Sequence, residues 1–219
     1  MESPQLFTSV IIYIILLFVI SVHEWAHAWT ADKCGDPTAK FLGRMTWNPI
    51  AHISMVGTVI IPLIGIMGPV LGLGLPFAIV GWGKPVPVNP NNYKNYVRDD
   101  VLVSLAGPLS NVVITIVALI IVKVLTFMHG DLVLMIIRDI LFPLAQLSFF
   151  LAFFNLIPFP PLDGSHILRP LLGYNGRKIL DKMSAYGFII LIIFINTPVF
   201  DIIIRGINNL FMLIVNIIV

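Results

Sequence analysis

Apolar residues in this chain come in long unbroken runs, not in the three-to-four spacing of an amphipathic helix or the alternation of a half-buried strand. One runs from about Gln5 to Trp29, another from Val101 to Met128, and another from about Leu132 to Pro158. Each is long enough to cross a bilayer core of about 30 Å, which takes roughly 20 apolar residues in an α-helix. Between the first two lies Ile53 to Val80, interrupted by Gly65, Gly68, Pro69, Gly72, Gly74 and Pro76. That run is too broken for one simple helix and predicts a hairpin or re-entrant segment. Two final runs, Ser184 to Ile195 and Phe200 to Val219, are separated by the turn signal Asn196-Thr197-Pro198. The pattern predicts an all-α polytopic membrane protein with about six membrane segments. Between the spans, "FLGRMTWNPIAHI" and "GWGKPVPVNPNNY" mix β-formers with Pro and Asn, which predicts short edge strands at the membrane surface.

Composition agrees. Of 219 residues, 58% are apolar and 11% charged, and the mean hydropathy is +0.98, far above that of a soluble domain. The N-terminal run reads as a membrane span rather than a removable signal. Ten of the 13 Lys and Arg fall in three groups: Lys33, Lys40 and Arg44; Lys84, Lys94 and Arg98; Arg169, Arg177, Lys178 and Lys182. Cytoplasmic loops retain basic residues. All three groups share the cytoplasm only if residues 53–80 turn back rather than cross once. The N-terminus is then outside, the C-terminus inside, and the short turns at 128–131 and 196–201 outside. A net charge of +2, spread over loops, points to no nucleic-acid partner. The single cysteine, Cys34, rules out an internal disulfide and reads as a small apolar filler.

The candidate chemistry opens at the end of the first run, in "HEWAH". His23 and His27 stand four residues apart, so on a helix both imidazoles face one way and suit a single zinc ion. Glu24 beside them matches the general base of such motifs. An interfacial aromatic belt explains Trp25 and Trp29 but not Glu24. A catalytic zinc takes three protein ligands and keeps one position open. The only other glutamate is Glu2, so no downstream Glu supplies the third ligand, and Thr30 and Lys33 occupy the positions where the extended motif has Gly and His. Asp or His remains. His52, His129 and His166 lie outside the apolar spans, and His129 falls in an outer, solvated turn. Asp163 follows the fourth span in "NLIPFPPLDG", where Pro158, Pro160 and Pro161 break the helix. A carboxylate at that depth is costly unless paired or metal-bound. It also shares the cytoplasmic end of its span with His27.

Together "HEWAH", "RMTWNPIAHIS", "GWGKPVPVNP", "SLAGPLSN" and "NLIPFPPLDG", in this order from about Val22 to Leu172, resemble the site-2 protease family of intramembrane zinc metalloproteases. The likeness is to its short branch, without PDZ or CBS domains. The resemblance implies one membrane-embedded metalloprotease domain over residues 1–219. Its three-helix catalytic core would be residues 5–29, 101–128 and 132–158, with zinc near the cytoplasmic side of the cell membrane. It also implies His23, His27 and Asp163 as ligands, Glu24 as base, and Asn111 and Asn155 as contacts to substrate backbone or oxyanion. The implied partner is a transmembrane client protein, cut by regulated intramembrane proteolysis. Selectivity would rest on the core and on the segments Phe41 to His52 and Gly81 to Tyr93, beside which an unwound client would add as a strand. The alternative from a different class is a metal-ion or proton transporter, since intramembrane His and Asp also mark ion pathways. It is the poorer fit, because beyond the proposed site the spans offer Lys123 and little else to relay an ion.

Overall fold

A computed structural model describes residues 3–61, 63, 83–128 and 130–219. Helix α1 spans Ser3–Cys34 and passes beyond the apolar run, because Thr30, Asp32 and Lys33 continue the helix. It stops at Gly35, whose φ of 109° suits glycine. The Gly35 N–H donates to Asp32 O (3.2 Å) and the Asp36 N–H to Ala31 O (2.8 Å), so the last carbonyls of the helix are satisfied. A short α2, Thr38–Phe41, follows.

Helix α3 spans Tyr96–Thr126 and begins earlier than its apolar run because its start is capped from both sides. The Asn95 side chain accepts from the Arg98 N–H (3.2 Å), while Asp99 Oδ2 accepts from the Asn95 N–H (2.8 Å). Helix α4 spans Asp131–Asn155. It widens to a π-helical turn over Ile137–Leu141, just ahead of Pro143, which has no N–H to donate. After it come α5 (Asp163–Leu168), α6 (Tyr174–Ala185), α7 (Gly187–Ile195) and α8 (Pro198–Ile218).

The helical, polytopic reading is met, and the expected strands are corrected. Among the described residues four helices are long and apolar enough to cross a membrane: α1, α3, α4 and α8. The Ser184 to Ile195 run yields only the nine-residue α7, about 14 Å at 1.5 Å per residue and short of a bilayer core. Nor is there a strand among the described residues at 41–53 or 83–93. Pro49, Pro85, Pro87 and Pro90 remove ladder donors, and Asn48 and Asn89 accept local bonds that wind 3₁₀ turns at Pro49–His52 and Pro90–Asn92. The predicted hairpin at 53–80 falls largely on residues 62 and 64–82, outside the described residues, as does His129. The segment leading into it forms a π-helical turn, Met55–Ile60, held to α1 by Tyr13 Oη donating to Thr58 O.

Helix α3 lies between α1 and α4. Its contact with α4 combines small residues with hydroxyls that bond across helices: Ser148 Oγ donates to Asn111 O (3.0 Å) and Thr115 Oγ1 to Ala145 O (3.2 Å). Further along, Ala118, Leu119, Ala145 and Phe149 pack with Ile207 and Phe211 of α8 into the main core. Cys34 is buried with Ala31, Tyr93 and Val103, the filler role its composition suggested.

The end of α1 and the start of α3 share one face of the bundle, since the Lys94 N–H donates to Cys34 O (3.1 Å). Asp36 ties this face together. Fully buried, it accepts from the backbone N–H and hydroxyl of Thr38, the Asn89 N–H (2.6 Å) and Asn92 Nδ2 (2.8 Å). Burial alone would raise its carboxyl pKa, but these donors outweigh it and hold the carboxyl below its ordinary value.

Asp36→Ala leaves those donors unpaired, and each bond to a charged group is worth about 1.5–3 kcal/mol. The variant should lose roughly 3 kcal/mol or more by that measure, and hydrogen exchange should rise at residues 86–92. Because the folded pKa is depressed, the stabilisation is present above the unfolded value near 4 and fades as pH falls through the folded one. Acid unfolding of wild type beside Asp36→Asn checks the sign, since the variant should lose that part of the pH dependence.

Candidate metal centre

The helical repeat of α1 stacks His23 and His27 on the face turned to α3, and both are buried. Asp163 reaches the same point from the first turn of α5, beyond the proline-rich turn that ends α4. That turn is held by the Leu162 N–H donating to Phe159 O (2.9 Å) and Ser165 Oγ donating to Leu162 O (2.7 Å). It also requires Gly164, where a Cβ would come within 2.4 Å of the Leu156 and Ile157 carbonyl oxygens.

Three atoms converge. His27 Nε2 is 3.0 Å from His23 Nε2, and Asp163 Oδ2 is 3.1 Å from His23 Nε2 and 3.3 Å from His27 Nε2. Ligands about 2.0–2.2 Å from a tetrahedral zinc stand roughly 3.3 Å apart, so this triangle has the size a zinc ion needs. Among the described residues it is the one group of three His, Cys, Asp or Glu side chains placed to hold a metal.

Space beside the two Nε2 atoms comes from Gly107 of α3, the glycine of "AGPLSN". A Cβ there would lie 2.4 Å from His27 Nε2 and 2.5 Å from His23 Nε2. The apolar pattern does not single this residue out, although a Gly-Pro step inside an apolar helix is the kind of signal that marks a close approach. The Val103 carbonyl of the same helix lies 2.6 Å from His27 Nδ1. It accepts that nitrogen's proton and leaves Nε2 free toward Asp163. A backbone carbonyl leaves no mark in a sequence.

Glu24 points from α1 toward the loop ahead of α3. Its Oε2 accepts from the Val86 N–H (2.7 Å), and its other oxygen has no protein partner among the described residues. Asn111 is fully buried with its amide 3.1 Å from His23 Nδ1. Asn155, half-buried at the end of α4, donates from Nδ2 to Leu151 O (2.9 Å) of its own helix. His52 is buried against Thr46 O (2.8 Å), and His166 Nδ1 lies 3.7 Å from Asp100 Oδ1. Neither joins the triangle.

The model of the family described as "Peptidase family M50" matches residues 11–134 and 122–196. A Bacillus subtilis (strain 168) protein named "Putative zinc metalloprotease YwhC" is 35% identical over 198 residues, covering 87% of this chain and 83% of that protein. "Putative zinc metalloprotease Rip2" of Mycolicibacterium smegmatis is 29% identical over 201 residues, covering 89% and 71%. Its namesake in Mycobacterium tuberculosis (strain H37Rv) is 26% identical over 202 residues, covering 90% and 71%. No solved structure matches the chain.

Gly107→Ala should remove bound zinc while leaving the helices intact, since alanine is the better helix former by about 1 kcal/mol. Metal analysis of the purified variant beside Asp163→Ala and wild type checks it. Both variants should lose the zinc that wild type carries, and a Gly107→Ala protein with full zinc would show that the ion lies elsewhere.

Proposed function

The chain belongs to peptidase family M50, the site-2 protease family, and from that membership we propose that it cleaves client membrane proteins within or near a transmembrane segment. That it is a zinc-dependent metalloprotease of the membrane follows from the family and from its four apolar helices. The finer reading rests on the depth of the His23, His27 and Asp163 triangle. His27 and His23 precede the end of α1 at Cys34 by seven and eleven residues, about 10 to 17 Å along the helix axis. Trp25, Trp29 and Trp47 cluster at the same end, with ring centroids 6.1 and 5.3 Å apart, as side chains at a headgroup boundary do. With Lys33, Lys40 and Arg44 just beyond, that boundary is the cytoplasmic one. Trp25 lies between His23 and His27 along the helix, so on this reading the site is at the level of that boundary, within reach of the end of a transmembrane client.

His23 and His27 through Nε2, and Asp163 through Oδ2, would hold the zinc. When bound, zinc would supply Lewis acidity toward a carbonyl oxygen and would lower the pKa of water to about 7. Glu24 takes the proton of the attacking water and hands it to the amine released when the peptide C–N bond breaks. The Val86 N–H on one oxygen fixes the carboxylate and leaves the other to receive that proton.

A client helix must unwind to be cut, and its freed backbone groups then need partners. The segment at 83–89 offers them without being a strand. Its Val88 N–H makes no hydrogen bond among the described residues. Beside it, a groove of about 310 Å³ runs between Leu42, Arg44, Lys84, Pro85 and Pro87. Arg44 braces the groove by donating from Nη2 to Lys84 O (2.7 Å). Asn155, near the end of α4, is the remaining candidate for a substrate contact.

Glu24→Gln should keep its zinc and lose cleavage of a reconstituted transmembrane client by about 100-fold or more, the range for a removed general base. Gel analysis of client proteoliposomes, with metal content measured on the same sample, checks both. Full cleavage by that variant would overturn the role of Glu24.

A further inference from the structure

The two histidines of the triangle present the same nitrogen to Asp163, so each needs its other nitrogen settled. For His27 the Val103 carbonyl does this at 2.6 Å. For His23 the polar group 3.1 Å from Nδ1 is the side-chain amide of Asn111. As placed, the amide turns its NH₂ toward the ring and leaves Oδ1 buried with no hydrogen-bond partner. A buried amide oxygen with no donor is costly.

A neutral histidine that gives Nε2 to a metal carries its proton on Nδ1 and needs an acceptor there. The nitrogen and oxygen ends of a carboxamide exchange by a half-turn about χ2. That half-turn gives the Nδ1 proton an acceptor and moves the NH₂ to the place where Oδ1 now has no partner. Asn111 cannot swing away, because it is fully buried and its backbone carbonyl is fixed by Ser148 Oγ and Thr115 Oγ1 at 3.0 Å each.

We infer that Asn111 is a positioning residue for zinc, its Oδ1 accepting from His23 Nδ1–H and so setting the tautomer and orientation of that ligand. This departs from the substrate contact that the family resemblance implies for Asn111. It rests on the proposal that His23 holds zinc through Nε2.

The test is zinc affinity, measured by competition with a chromogenic chelator for detergent-purified wild type, Asn111→Leu, Asn111→Asp and His23→Ala. Loss of a histidine's hydrogen-bond partner costs about 10- to 100-fold in metal affinity, and that is the expected loss for Asn111→Leu. Asn111→Asp keeps an acceptor at the same place and should stay near wild type. In ¹⁵N spectra of zinc-loaded wild type, His23 Nδ1 should be protonated. Wild-type zinc affinity in Asn111→Leu with slowed turnover would assign the residue to the substrate and overturn the inference, as would a deprotonated Nδ1 in wild type. An equal loss in Asn111→Asp would overturn it too. Should Asn111→Leu fail to fold, Asn111→Asp and the wild-type spectra decide alone. If His23→Ala keeps full zinc affinity, the ligand assignment itself falls and the inference with it.

Discussion

Two imidazole nitrogens and a carboxylate oxygen, brought within 3.0–3.3 Å of one another inside a bundle of apolar helices, are the constraint around which this protein is arranged. Buried polar groups of this kind are tolerated when each is partnered. The fold supplies those partners from three directions. Helix α1 carries both histidines, the turn after α4 carries Asp163, and α3 between them supplies the room and the orienting groups.

Helix α3 shows how one helix can serve both the bilayer and the site. Asp100, Val103, Gly107, Asn111 and Thr115 are spaced three or four apart and are buried, so they form one stripe along the helix. From that stripe come the carbonyl against His27, the gap left by Gly107 and the amide against His23. Val113, Ile116, Val117, Ile120 and Ile121 are exposed, as a lipid-facing side should be. A mean hydropathy averages the two faces and hides the division.

The loop ahead of α3 is ordered by backbone donors, not by sheet pairing. The Lys84 N–H goes to His52 O, the Val86 N–H to Glu24 and the Asn89 N–H to Asp36. Glu24 and Asp36 both belong to α1 or its end, so the loop is fastened to the element that carries the histidines. Its position and that of the proposed base are linked through a single hydrogen bond.

The chain alone determined a good deal, and for physical reasons. Hydrocarbon thickness sets the length of a spanning run, so α1, α3 and α4 were legible, if not their capped ends. The i, i+4 pair His23 and His27 needs only the helical repeat to share a face. Scarcity of glutamate narrowed the third ligand to Asp or His, and cost at depth pointed to Asp163. Other features depended on folding. Ser184 to Ile195 has the composition of a span, but its helix is broken at Tyr186 and comes out too short. The β-formers at 41–53 and 83–93 gave way to proline and asparagine turns. Gly107, the Val103 carbonyl and the Val86 N–H matter only through what lies opposite them on another helix or loop. Residues distant in the chain meet there, and which atom faces which is decided by packing. Spacing reports only what one helix places along itself, so the pairing of His23 with His27 was readable and the groups opposite it were not.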